Sequence, residues 1–126
     1  MTKPLLYIAG CFSNSDSLSE EEQSKNRKKF QQAQWASWYM GWCPINPIEL
    51  DSWAWSKLSK KDRVKFYDMV LGCDLAMIGA IGKSGGAIYF MPGWEQSGGA
   101  KTEWDFATSR GIKILYTLIS PDSVFS

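Results

Sequence analysis

Two carboxylates in this sequence stand where a carboxylate can do chemistry. Glu103 follows Gly98-Gly99-Ala100 in the first turn of an expected helix. The positive end of a helix dipole keeps such a group ionised, as a carboxylate nucleophile requires, and the small neighbours leave room for a ligand. Equally, Glu103 reads as a solvated first-turn acid, favoured by only ~0.3–1 kcal/mol. Asp74 precedes the apolar run Leu75-Ala76-Met77-Ile78, so it lies at a helix rim or points into a pocket. Capping, or pairing with Lys83 or Arg63, is its plainer role.

The loop Pro92 to Gly99 places backbone N–H groups at the start of the Glu103 helix, where an anion or hydroxyl can dock. Simple turn chemistry explains the same glycines, and neither a dinucleotide nor a triphosphate loop pattern is present. Tyr7, inside an apolar run, reads by itself as core. Of seven tryptophans, Trp94 and one of Trp53 or Trp55 fall on loops, where an indole can stack on a flat heteroaromatic ring.

Composition narrows the field. The 126 residues have room for one domain, 1–126, and 44% hydrophobic with 21% charged residues is globular composition. Histidine is absent, which removes Ser-His-Asp and Cys-His nucleophile systems and the commonest metal ligand. Acid–base chemistry then falls to carboxylates, Tyr, Lys or Cys. Lys plus Arg number 14 against 13 for Asp plus Glu, a net charge of +1, so neither nucleic acid nor a membrane is the expected partner. Cys11, Cys43 and Cys73 form no C-x-x-C and predict three buried thiols in a reducing compartment, with no disulfide and no metal. The apolar N-terminal run is too short for a signal peptide, and no stretch is long enough to cross a bilayer. A soluble, cytoplasmic protein is expected.

These residues need elements to position them. Pro4 to Ala9 predicts a buried strand, and Ser19 with Glu22 a capping box opening a helix that runs to Gly41. Cys43 to Pro47 predicts an edge strand entering a loop, and Asp51 to Ser59 an irregular segment. The spacing from Lys60 to about Ile81 is helical despite Gly72 and Gly79. A strand at Ala87–Met91, a helix from about Ala100 to Ser109 and a strand at Ile112–Ile119 complete the chain. Strands separated by helices imply a parallel sheet covered on both faces, an α/β sandwich. Ligands in such sheets collect beyond the strands' carboxyl ends, here at the loops Gly10 to Leu18, Asn46 to Trp55, and Pro92 to Gly99.

Tyr7-Ile8-Ala9-Gly10-Cys11-Phe12, Asn46-Pro47, Asp74-Leu75 and Ser97-Gly98-Gly99-Ala100-Lys101-Thr102-Glu103 occur in that order. The set resembles the nucleoside 2-deoxyribosyltransferase superfamily, which includes deoxynucleoside-monophosphate N-glycosidases. The run Met91 to Ala100 followed by Glu103 looks most like a small uncharacterised branch frequent in phages and bacteria. The resemblance implies a flavodoxin-like three-layer sandwich with a central parallel sheet. It also implies cleavage or transfer at the bond between a base and C1′ of deoxyribose, with no cofactor. By position Glu103 matches the nucleophile, Asp74 the carboxylate assisting the base, and Tyr7 a tyrosine steadying the nucleophile. Gly10, Phe12, Asn46, Trp94, Ser97 and Gly99 fall at substrate-binding positions, Ser97 at one that touches the sugar's 5′ end. A serine there leans towards a 5′-monophosphate. A homo-oligomer is implied too, with Val124-Phe125-Ser126 completing a partner's site.

The chemistry needs two carboxyls with different proton affinities. Asp74 on its apolar surface is expected to be the raised one, and Glu103 at its helix end the lowered one. The chain departs from the pattern in two places. Cys11-Phe12-Ser13-Asn14-Ser15 lacks the arginine of the phosphate-handling glycosidases, and Gly86 stands where many relatives have an aspartate. A slip in register would make Asp68 the rival of Asp74. The alternative expectation is an inactive nucleoside- or nucleotide-binding module of the same fold, acting as sensor or sequestering protein.

Overall fold

The computed structural model describes residues 3–11, 20–49 and 57–125. Its frame is one parallel sheet of β1 (Leu5–Ala9), β2 (Cys43–Ile45), β3 (Ala87–Phe90) and β4 (Lys113–Leu115), ordered β2-β1-β3-β4. β1 is an inner strand: Leu6 pairs with Pro44 on one side and Ala87 on the other. Its unbroken apolar run follows from cover on both faces. Tyr7 and Ala9 enter one core cluster with Ile78, Ile88 and Ala107, whereas Ile8 enters another with Phe30 and Met91. Pro44 is tolerated because β2 is an edge.

Helix α1 (Glu20–Met40) packs on β1 and β2, while α2 (Lys60–Lys83) packs on β1, β3 and α3 (Gly98–Ser109). The architecture is therefore an α/β sandwich on a parallel sheet, as the alternation of signals predicts, and it has the flavodoxin-like three-layer form that the resemblance implies. A short helix α4 (Pro121–Phe125) ends the described chain. Its Val124 packs on the cluster of Leu6, Trp42, Ala87 and Leu115, and its Phe125 ring meets Trp42 edge-on at 5.8 Å. Both side chains thus rest on their own chain. Among the described residues no helix is long and apolar enough to cross a membrane.

Several expectations are corrected. The last strand stops at Leu115, since its ladder partner β3 ends one residue beyond Tyr89, which pairs with Leu115. Further on, the Ile119 carbonyl instead accepts a hydrogen bond from Trp42 Nε1 at 2.7 Å. Residues 47–49 are helical rather than loop. α2 continues to Lys83 through both glycines, and Gly85, at φ 83°, makes the left-handed turn that leads into β3. The thiols are not all buried: Cys11 and Cys43 are half-buried and Cys73 is exposed on α2, all three unbridged. Ser19, and with it the expected capping box, lies outside the described residues, as does most of Asp51 to Ser59.

Candidate functional site

A cleft opens beyond the carboxyl end of β1, where sheets of this class leave a crevice. Its floor is β1 from Tyr7 to Gly10, with Phe30 of α1 alongside. Tyr67 and Asp74 enter from α2; Ser97, Gly99 and Glu103 enter from the start of α3. Counting its open mouth, the cleft holds about 510 Å³ of empty space.

Local sequence explains each placement. Gly10 lets the chain pass close to Met91, whose Cε would lie 2.6 Å from any Cβ there. Ser97 Oγ accepts from Ala100 N at 3.2 Å and so caps α3 two residues earlier than the expected start. A capping serine that accepts with its oxygen still has a proton to donate. Tyr67, Val70, Leu71 and Asp74 recur at i, i+3, i+4 and i+7, so one face of α2 carries a phenol, an apolar wall and a carboxyl into the cleft. Gly99 and Glu103 are four apart, one above the other on α3.

The centre of the cleft is formed by the buried Tyr7 and Glu103 with the half-buried Asp74 beside them. Glu103 is 7% exposed. Glu103 Oε2 and the Tyr7 hydroxyl are both buried without a hydrogen-bond partner among the described residues. Their oxygens miss hydrogen-bond geometry, so the two act on each other as close polar neighbours. Burial pushes the Glu103 carboxyl up to about 8, the Tyr7 hydroxyl pulls it partly back down, and the Asp74 charge raises it. Burial, followed by the charges of Glu103 and Asp74, holds the Tyr7 phenol well above its ordinary value. Tyr7 is thus a neutral donor beside a carboxyl that readily keeps its proton.

That overturns the expectation of a lowered Glu103. α3 begins at Gly98, which puts Glu103 in the second turn and leaves the first turn without an acid. The dipole's effect fades within one turn, and burial without a partner then dominates.

Of the anticipated residues, Tyr7, Gly10, Asp74, Ser97, Gly99 and Glu103 line this one cleft. Asn46 does not. Its Nδ2 donates to Gln34 Oε1 and its Oδ1 accepts from Ile48 N, both at 3.1 Å, so it caps the turn at 47–49. Trp94 stacks on Trp104 at 5.8 Å and packs tilted against Phe90 at 5.1 Å, and it is not part of the lining. Phe12, Trp53 and Trp55 lie outside the described residues. Asp68 is exposed and does not line the cleft, so α2 offers Asp74. Tyr67 is the residue that the motif reading omits; its spacing of seven from Asp74 is the signal that marks it. Gly86 sits at the opposite end of the sheet, where a Cβ would stand 2.6 Å from the Leu5 carbonyl oxygen. Its departure from the pattern is one of packing, remote from the cleft. Among the described residues no three His, Cys, Asp or Glu side chains converge to hold a metal ion.

Comparison with known proteins places this site inside a family. No curated protein and no solved structure matches the chain. Residues 5–116 match the family described as a domain of unknown function, DUF4406, a span that includes all the cleft residues named above. The chain belongs to the DUF4406 family.

Proposed function

We propose that this protein cleaves or transfers at the N-glycosidic bond of a 2′-deoxynucleoside or its 5′-monophosphate, through a covalent bond between Glu103 and the sugar. One observation carries the reading: a buried phenol from β1 and a buried carboxyl from α3 converge with a half-buried carboxyl from α2 on one cleft.

As the C1′–N bond breaks, its electron pair leaves with the base, which takes a proton from the Asp74 carboxyl. A Glu103 carboxylate oxygen stabilises the oxocarbenium-like sugar and bonds to C1′. Water, or a second base, then attacks C1′; its proton returns to Asp74 and Glu103 is released. The reactive form of the pair therefore carries one proton, a property of the two carboxyls together. Before a base docks, Glu103, pushed up to about 8, is a holder of that proton near neutrality. Docking of a base moves it to the Asp74 side. Tyr7 favours that movement by stabilising the Glu103 anion.

The test is incubation with mixed 2′-deoxynucleosides and 5′-monophosphates, with free bases followed by chromatography. Wild type releases base, Glu103→Ala does not, and a 2-fluorinated sugar analogue leaves an adduct on Glu103. Full release by Glu103→Ala sinks the mechanism.

A second reading rests on the same raised carboxyl. A neutral Glu103 is a buried hydrogen-bond donor beside the cleft, which suits a module that holds a nucleoside or nucleotide without turnover. Ligand binding that survives Glu103→Gln, with no base released by wild type, selects it.

A further inference from the structure

Tyr67 reaches from α2 to the first turn of α3. A Cβ on Gly99 would stand 2.8 Å from Tyr67 Oη and 3.8 Å from Tyr67 Cζ, so the phenol oxygen fills the space a side chain would take. Among the helix glycines, Gly72 and Gly98 have nothing within 4 Å of the same position, whereas Gly82 is met by the Ile112 side chain at 2.6 Å; at Gly99 the close neighbour is a polar oxygen from the helix that carries Asp74. Tyr67 shares its helix face with Asp74, two turns on, and Gly99 shares its face with Glu103, one turn on. The one contact thus spans the two helices that deliver the two carboxyls.

We propose that Tyr67 is a positioning residue for Glu103: its hydroxyl, seated against Gly99, sets how closely the helix bearing Asp74 approaches the helix bearing Glu103. The catalytic consequence rests on the glycosidic reading; the geometric claim does not. Burial, and then the charges of Glu103, Asp68 and Asp74, raise the Tyr67 phenol above its ordinary value, so it stays a neutral hydroxyl. Among the described residues, the titratable groups that act on Glu103 are Tyr7 from β1 and Asp74 from α2, and Tyr67 of α2 feels the Glu103 charge.

The experiment compares wild type, Tyr67→Phe, Gly99→Ala and the double variant. Glu103 is titrated by ¹³C NMR on carboxyl-labelled protein, its signal identified with Glu103→Gln, and base release is measured in parallel. Gly99→Ala displaces the phenol, moves the Glu103 midpoint and slows base release on the order of 10- to 100-fold, the effect of misplacing a reacting group by about an ångström. In the double variant the oxygen is gone and the nearest ring atom stands at 3.8 Å, ordinary contact, so midpoint and rate return towards wild type. A Gly99→Ala midpoint equal to wild type, or a double variant with no recovery, overturns the proposal. Should Gly99→Ala not fold, Tyr67→Phe decides: with the oxygen gone the helix bearing Asp74 settles closer and the Glu103 midpoint rises, and an unmoved midpoint overturns the proposal. Titrations that follow this pattern in a protein releasing no base leave the positioning role standing and remove the glycosidic one.

Discussion

The Tyr7 hydroxyl draws down the proton affinity of the Glu103 carboxyl, while burial drives it up by more. Neither oxygen gains a hydrogen bond among the described residues. Both groups have left water without full compensation, a cost that a structural core avoids and a reactive site uses.

Tyr7→Phe removes the one neighbour among the described residues that lowers Glu103. The Glu103 midpoint then rises above about 8, and base release near pH 7 falls roughly tenfold for each unit of that rise. Stability is unchanged or slightly higher, since no hydrogen bond is lost with the buried hydroxyl. NMR titration and thermal melting check the two halves separately.

Glu103 also makes stability depend on pH. Its folded value, about 8, stands above the ordinary 4.5, so the folded chain binds this proton more tightly than the unfolded chain. The contribution is intact below about 4.5 and is lost as pH rises through about 8, a change on the order of a few kcal/mol. Urea unfolding between pH 5 and 9 is expected to show wild-type stability falling across this window and Glu103→Gln remaining flatter. Parallel curves refute it.

The two candidate acids of α2 separate cleanly by mutation. Asp74→Asn removes the cleft carboxyl and lowers base release about 10²- to 10⁴-fold, the usual worth of a positioned proton donor. Asp68→Asn alters an exposed residue outside the lining and leaves kcat within a few-fold of wild type. Steady-state kinetics with the best substrate reads both.

Gly86→Ala tests whether that glycine belongs to packing or to chemistry. The new methyl meets the Leu5 carbonyl oxygen at 2.6 Å and Ile81 Cγ2 at 2.7 Å, and backbone yields poorly. A loss of about 1–3 kcal/mol is expected from overpacking. Whatever protein remains folded keeps its KM, because this end of the sheet is away from the cleft.

The fold was legible because its signals are local. Leu5–Ala9 and Ala87–Phe90 are apolar runs of strand length, and the gaps between strands hold long helices. The ends of elements were less so. Ile112 to Ile119 is mostly apolar, but a strand lasts only as long as it pairs with a neighbour, and the pairing with β3 ends at Tyr89 and Leu115. Among site residues, Tyr7, Asp74 and Glu103 were found by type and order. Their proton affinities were not, since a helix starting two residues early moves Glu103 beyond the dipole's reach and burial takes over. Asn46 and Trp94 misled because capping and aromatic packing use the same residue types as ligand binding. Tyr67 was hidden by its resemblance to ordinary helix filling.

Tyr7, Asp74 and Glu103 come from β1, α2 and α3, the opening, middle and late parts of the chain. A ribosome therefore releases the phenol first and must finish α3 before the second acid exists. Until then no fragment brings all three groups together, so a nascent or prematurely ended chain carries no assembled cleft.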